Sequence, residues 1–227
     1  MKSLDAVDLL TVVSPHLDDG VFSCGALLDL ADRGQVVTLF AGCPDDVPLT
    51  DWDRRCGFLS ADEAVRTRRE EDARALAELG AEPIWLDLMD AQYGGNYLPE
   101  DVAAHLAPVF GRLRGGTVAV PLGLFHSDHL LAHAACMQLY RDHGSLAWLF
   151  YEDALYRRHA GLVQKRLAAL LQAGLLLTPV AGPASRSPAK ERAVRWYASQ
   201  LRAFGEGGYE DTGLPERYWK LEAYEPR

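Results

Sequence analysis

Residues 9–19 read LLTVVSPHLDD, a short apolar run followed at once by a turn with one histidine and two aspartates. The run Leu9–Ser14 is rich in valine, which is typical of a strand covered on both faces. A helical pattern follows from about Val21 to Arg33, and Gly34 stands where helices commonly end. The stretch therefore predicts a buried strand, a polar turn and a helix, the repeating unit of an α/β sheet.

The same alternation returns along the chain. Further buried strands are predicted at Val36–Ala41, Ile84–Leu88, Thr117–Pro121 and Ala147–Tyr151, and helices at 60–79, 99–113, 127–142, 161–173 and 188–204. Helices between strands form right-handed crossovers and build a parallel sheet. We therefore predict an α/β fold, a Rossmann-like three-layer sandwich with a mostly parallel sheet flanked by helices, in a single domain over residues 1–227. Residues 42–59 predict a long irregular loop, a kind of segment that is usually functional or mobile.

Composition excludes several classes of function. The net charge of -9, from 32 acidic and 23 basic residues, has the wrong sign for nucleic-acid binding. The chain has no apolar run of about 18 residues and no signal-peptide pattern at its start, so we predict a cytoplasmic protein without a membrane partner. The four cysteines have no metal-binding or redox spacing and predict free thiols. A homo-oligomer is compatible with these features.

Two polar clusters follow predicted strands. PHLDD at 15–19 follows the first strand, and HSDH at 126–129 follows the strand at Thr117–Pro121. In open α/β sheets ligands bind beyond the carboxyl ends of the strands, where both clusters would meet. His16 and Asp19, three residues apart, can converge on one cation, and His129 adds a third ligand. Three protein ligands leave a position for water, which is the pattern of a catalytic zinc site. We predict one zinc ion per chain, with other divalent first-row metals as alternatives.

The neighbouring residues of each cluster suggest the remaining roles. Asp18 is the candidate general base and acid, and His126 is the candidate donor to a developing oxyanion. Asp128 is the candidate that orients a histidine of the cluster. Taken singly, such residues are more often helix caps. Two clusters at equivalent sheet edges favour the metal site instead. The other four histidines are predicted to be structural or surface residues: His105, His133, His143 and His159.

The motifs resemble those of the LmbE-like (PIG-L) zinc N-deacetylases. The resemblance rests on PHLDD after the first strand, HSDH after the fourth, the Arg68–Glu71 pair, and Lys190 with WYASQ at 196–200. It implies removal of an N-acetyl group from an amino sugar of the N-acetylglucosamine type or its glycoconjugate. It also implies metal ligands at His16, Asp19 and His129, a proton-transferring Asp18 and an oxyanion-side His126. Arg68 and Asp90 would contact the substrate.

The sequence also departs from that family pattern. Leu17 and Ser127 stand where the family typically has proline, which changes the rigidity of the turns but keeps the ligand spacing. Residues 42–59 lack the family's usual pattern, so the substrate is not carried over. The aromatic residues Trp52, Phe58, Tyr93 and Tyr97 would either stack on a sugar or anchor loops. A metal-dependent phosphoesterase and a non-catalytic sugar or metabolite binder remain the alternative functions.

Overall fold

The computed structural model describes residue 4, residues 7–183 and residues 186–224. Its strands are β1 (Val7–Ser14), β2 (Ala31–Thr38), β3 (Ala81–Trp85), β4 (Thr117–Pro121), β5 (Ala147–Tyr151), β6 (Leu175–Ala181) and β7 (Arg217–Tyr224). Its α-helices are α1 (Asp19–Leu30), α2 (Asp51–Cys56), α3 (Ala61–Glu78), α4 (Pro99–Phe110), α5 (Ser127–Tyr140), α6 (Leu162–Gln172), α7 (Pro188–Trp196) and α8 (Ala198–Phe204). Short 3-10 turns lie at Ala91–Tyr93 and Glu210–Gly213.

The strands form one seven-stranded sheet in the order β3-β2-β1-β4-β5-β7-β6. The first five strands of that order are parallel, and β7 runs antiparallel to both β5 and β6. This arrangement confirms the α/β class and the mostly parallel sheet. Because β1, β4 and β5 are parallel neighbours, the turns that follow them gather at one edge of the sheet.

The core lies on both faces of the sheet. Alternate residues of a strand point to opposite faces, so Val12 and Val13 of β1 pack into two different apolar clusters. One cluster joins the sheet to α4, α5 and α6, and the other joins it to α1, α3 and α7. These two layers of helices fix the three-layer sandwich and hold the strand ends rigidly. No helix among the described residues is both long enough and apolar enough to cross a membrane.

Several element boundaries differ from the sequence prediction. Helix α1 ends at Leu30, and Gly34 lies inside β2, where it pairs with Leu10 of β1. The prediction was wrong because the strand is extended by backbone pairing with neighbours distant in sequence. The segment predicted as one helix over 188–204 divides into α7 and α8 at Tyr197. The loop at 42–59 contains the short helix α2, whose Thr50 cap accepts a hydrogen bond from the Asp53 amide.

The sequence prediction also missed two strands at the carboxyl-terminal side of the chain. Strand β7, RYWKLEAY, buries Tyr218 and Leu221 and leaves Arg217, Lys220 and Glu222 exposed, so its sequence has neither a continuous apolar run nor a regular alternation. Strand β6, LLLTPVA, occupies the sheet edge, where Pro179 is tolerated. Together they extend the parallel half of the sheet by an antiparallel pair.

Candidate metal and active site

The turn after β1 is built by local hydrogen bonds. The backbone amide of His16 donates to Asp19 Oδ2 at 3.0 Å, and the amide of Gly20 donates to Ser14 Oγ at 2.8 Å. A side chain at Gly20 would come within 3.0 Å of Val36 Cγ1, so glycine allows the helix to start tightly against β2. This turn brings His16 and Asp19 to the same side of the sheet edge.

Three predicted ligands converge on one point. His16 Nδ1 and His129 Nε2 each lie 3.0 Å from Asp19 Oδ2. The ligand atoms of all three residues lie within 4.8 Å of one another. His129 is fully buried on α5, whereas His16 and Asp19 are partly exposed to the cleft. The structure thus brings together the residues that the sequence separates by more than a hundred positions.

The outer nitrogen of each histidine is held by a carboxylate. His16 Nε2 pairs with Asp128 Oδ2 at 3.0 Å, and His129 Nδ1 pairs with Asp153 Oδ1. In the neutral rings these hydrogen bonds leave the lone pairs of His16 Nδ1 and His129 Nε2 facing Asp19. His129 Nε2 is buried, and its contact with Asp19 Oδ2 at 3.0 Å does not have hydrogen-bond geometry. Two imidazole nitrogens and one carboxylate oxygen that face one another in this way fit a first-row divalent cation such as zinc.

The electrostatics of the cluster favour positive charge at this point. Burial alone would lower the pKa of His129, but the charges of Asp19 and Asp153 outweigh it and raise the pKa to about 9. Burial would raise the pKa of Asp19, yet His129 and His16 hold it well below its ordinary value. A bound cation would satisfy the same carboxylates with the imidazoles neutral.

Asp18 and His126 flank the three ligands. Burial, followed by the negative charge of Asp19, raises the pKa of Asp18 to about 7, a value suited to taking up and releasing protons near neutrality. His126 is the N-cap of α5, and its Nδ1 accepts a hydrogen bond from the Asp128 amide at 3.2 Å. Its proton therefore sits on Nε2. Burial and the neighbouring His16 lower the pKa of His126, which keeps the ring a neutral donor.

The cluster lies at the base of a cleft of about 430 Å³. Its lining includes Asp18, Asp19, Arg68, Asp90 and His126, together with Trp52 and Tyr93. The volume is within the range of small-molecule sites. Five of the predicted site residues therefore share one concave surface with the ligand His16, while the buried His129 and Asp128 lie behind it.

Arg68 is largely engaged within the protein. Its Nη2 donates to Asp53 Oδ1 at 2.6 Å and its Nη1 to Tyr93 Oη at 3.1 Å, while its Nε is buried without a partner. Asp53 is completely buried. The pair therefore joins α2 to α3, and a contact from Arg68 to the substrate stays a prediction.

Asp90 is similarly engaged. Its Oδ1 and Oδ2 accept hydrogen bonds from the backbone and side-chain amides of Gln92, both at 2.9 Å, and its Oδ2 lies 3.8 Å from His16 Nε2. Asp90 thus caps the 3-10 turn beside the cluster, and its contact with sugar hydroxyls stays a prediction. Trp52 donates to Gln200, and Tyr97 accepts from the Met89 amide, so these aromatic residues also anchor loops.

Two residues that sequence reasoning missed support the cluster. Asp153 follows β5 and, besides His129, accepts hydrogen bonds from the amides of Gly123 and Leu124. Tyr156 packs edge-on against His129 with the ring centroids 5.1 Å apart. The signal was present, because Glu152-Asp153 follows a buried strand at the same sheet edge as the two recognised clusters.

The other histidines occupy different environments. His133 is buried, and its Nδ1 donates to the Pro121 carbonyl at 3.0 Å, in agreement with a structural role. His105 is exposed and lies against the Asp101 carbonyl. His159 is exposed, as predicted, but it also lines the cleft beside Tyr156. That position makes it part of the site, which the sequence did not indicate.

Solved structures of other proteins share this fold. A crystal structure of a deacetylase triple mutant (Orf2*T) involved in teicoplanin biosynthesis is 25% identical, with a TM-score of 0.78 over 94% of this chain and 97% of the other. The A40926 pseudoaglycone deacetylase Dbv21 is 24% identical, with a TM-score of 0.76 over 96% and 98%. The 4-carboxy-2-hydroxymuconate hydratase GalB of Pseudomonas putida KT2440 shares the fold at 16% identity, with a TM-score of 0.59 over 97% and 98%.

No curated protein matches the chain. The PIG-L family, described as GlcNAc-PI de-N-acetylase, matches residues 11–140, which is more than half of the 227-residue chain and includes both histidine–aspartate clusters. The chain therefore belongs to the PIG-L (LmbE-like) family.

Proposed function

We propose that this protein is a zinc-dependent N-deacetylase that hydrolyses the N-acetyl group of an amino sugar within a glycoconjugate. The observation that carries the proposal is the convergence of two imidazole nitrogens, the buried His129 Nε2 and His16 Nδ1, on Asp19 Oδ2 at 3.0 Å each. Family membership and the two antibiotic deacetylases of the same fold support the reaction class. Because a hydratase has the same fold, the fold alone does not specify the reaction, and the proposal depends on the residues of the site.

The chemistry follows from the positions of the side chains. His16, Asp19 and His129 would hold the zinc ion, which supplies Lewis-acid chemistry by polarising the acyl carbonyl and acidifying water. Asp18, on the cleft wall, takes a proton from the attacking water at its carboxylate and later gives a proton to the leaving nitrogen. His126 Nε2–H donates to the oxygen of the acyl group as negative charge develops there. Asp128 and Asp153 hold the two imidazoles in the tautomers that ligation needs.

The alternative of a two-metal phosphoesterase is less well supported. Among the described residues, the groups able to hold a metal are His16/Asp19/His129 and His16/His126/Asp128. The residue common to both is a histidine, and no carboxylate is shared between them. Asp128 is also engaged with His16 and the Ala91 amide. One ion with three ligands is therefore the arrangement that the cluster favours.

The test begins with metal-free protein reloaded separately with zinc, iron(II), cobalt or manganese. We expect about one bound metal per chain and release of acetate from N-acetylglucosamine glycosides. His129→Ala should lose both the metal and the activity. His105→Ala, an exposed histidine outside the cleft, is the matched control and should retain both. Release of phosphate from an aryl phosphate, with no acetate from any N-acetyl sugar, would replace this proposal with the phosphoesterase.

A further inference from the structure

Phe125 stands immediately before His126 in a backbone conformation that phenylalanine rarely adopts. Its φ is +62°, in the left-handed region, and its side chain is 67% exposed. The strain is unfavourable, and such residues tend to occur at functional sites. A ring this exposed contributes little to the core. Neither local backbone preference nor burial therefore explains a phenylalanine at this position.

The ring of Phe125 has two aromatic neighbours. It lies nearly parallel to Tyr156, with centroids 5.5 Å apart and an angle of 28°, and to His159, at 5.6 Å and 16°. Tyr156 and His159 line the cleft, whereas Phe125 stands beyond it. We name Phe125, Tyr156 and His159 the aromatic rim. The rim extends the surface of the cleft outward on the side of His126.

The rim is continuous with the candidate catalytic groups. Tyr156 lies against His129 edge-on at 5.1 Å and nearly parallel to His126 at 6.4 Å. If the acetamido group of an amino sugar lies at His126 and Asp18, a group attached to that sugar is within reach of the rim.

We propose that the aromatic rim binds a flat aromatic group attached to the amino sugar and so sets the substrate preference of the enzyme. The inference rests on the proposed deacetylase function. The ring of Phe125 remains 67% exposed beside its two aromatic neighbours, and stacking on such a ring favours a planar aromatic partner over a flexible chain. The neighbouring Arg158 donates to the Gly208 carbonyl at 3.2 Å. Because this cation is engaged within the protein, the aromatic rings rather than a charge are the main feature of the rim.

The test compares two substrates that differ only at the anomeric substituent, phenyl and methyl β-glycosides of N-acetylglucosamine. The parent protein should show a KM about fivefold lower for the phenyl glycoside, with a similar kcat. Phe125→Ala should bring the ratio of kcat/KM values for the two substrates close to unity by raising the KM of the phenyl glycoside. Phe125→Trp should keep the preference, because it keeps a flat face.

The control is Leu171→Ala, which removes a large apolar side chain of similar exposure (58%) that does not line the cleft. It should leave both substrates unaffected. Equal losses on both substrates in Phe125→Ala would show that the residue only positions His126, and would overturn the proposal. Absence of any phenyl preference in the parent would do the same. Self-association of the parent that is lost in Phe125→Ala would identify the rim as an interface between copies instead.

Binding measurements distinguish failure of the rim proposal from failure of the proposed deacetylase function. Dissociation constants of both glycosides are measured by calorimetry with the parent and Phe125→Ala. Tighter phenyl binding that Phe125→Ala removes, without acetate release from either glycoside, supports the rim and contradicts the deacetylase. Acetate release with equal binding of the two glycosides supports the deacetylase and contradicts the rim. Phe125→Gly, which relieves the strained φ, should lose the phenyl preference as Phe125→Ala does and should melt within about 4 °C of the parent, so the loss of preference is not loss of folding.

Discussion

The two walls of the cleft use charge in opposite ways. We call residues 15–19, 123–129 and 153, which carry the candidate site, the catalytic turns; their imidazoles and carboxylates point at a common position, where His129 Nε2 has no hydrogen bond. The helical wall, α2 and α3, neutralises its charges internally, as the buried Arg68–Asp53 pair shows. The first arrangement is suited to binding a ligand, and the second stabilises the wall beside it.

The largest effect is expected in the catalytic turns from Asp18→Asn. The amide cannot accept and return the proton, so kcat should fall by about 10³, within the range for loss of a general acid–base group. The metal ligands remain, so metal content and melting temperature should match those of the parent. Steady-state kinetics with metal analysis measure this. A variant that loses its metal in parallel with its activity would assign Asp18 to ligation instead.

In the helical wall, Arg68→Ala should affect stability first. It leaves Asp53 buried without its cation, and breaking such a pair costs about 3–5 kcal/mol of unfolding free energy. The matched control is Arg66→Ala on the same helix, where the exposed pair with Asp62 should contribute less than about 0.5 kcal/mol. Denaturant unfolding measures both. Equal effects of the two substitutions would contradict the supporting role of the buried pair.

A smaller effect is expected behind the metal ligands. Asp153→Asn removes the charge that faces His129 Nδ1 but keeps an acceptor for the imidazole. Metal affinity should fall about 10–100-fold, as for other groups that orient a ligand, while the fold is retained. Competition with a chelator measures the affinity. Unchanged affinity would show that Asp153 serves only the loop amides of Gly123 and Leu124.

The smallest effect concerns the pH dependence of the helical wall. Asp72 accepts from Trp85 Nε1 and Tyr197 Oη, yet burial dominates and raises its pKa to about 7. Because this folded-state pKa lies above the unfolded value, the folded state binds more protons and stability falls as pH rises from about 4 to 8. Between pH 6 and pH 8 the fall from this group is about 1 kcal/mol.

Asp72→Asn should remove that fall, since the amide has no charge to desolvate. Unfolding free energies of the parent and the variant, measured at pH 6 and pH 8, give the difference. Parallel curves for the two proteins would place the ionisation of Asp72 outside this range.

Sequence reasoning predicted most of the parallel half of the sheet and the convergence of His16, Asp19 and His129, although their role as metal ligands stays a prediction. Strands β1, β4 and β5 contain short apolar runs, and the histidines and aspartates stand in the segments that follow β1 and β4. The antiparallel strands β6 and β7 were missed because β6 is an edge strand that contains a proline, and β7 mixes apolar and charged residues without a regular period. Asp153 and Tyr156 were missed because both are singled out by their contacts with His129, which is distant in the chain.

The sequence by itself determined the fold class, the sheet edge at which the candidate site lies and the residue types that gather there. Periodicity and ligand spacing are local properties, so they can be read from the sequence without the structure. The tertiary structure alone decided which nitrogen of each histidine faces inward, that Arg68 is held by Asp53, and that Phe125 stacks beside the cleft. Those outcomes depend on carboxylates and rings brought together by packing, and no local pattern specifies such contacts.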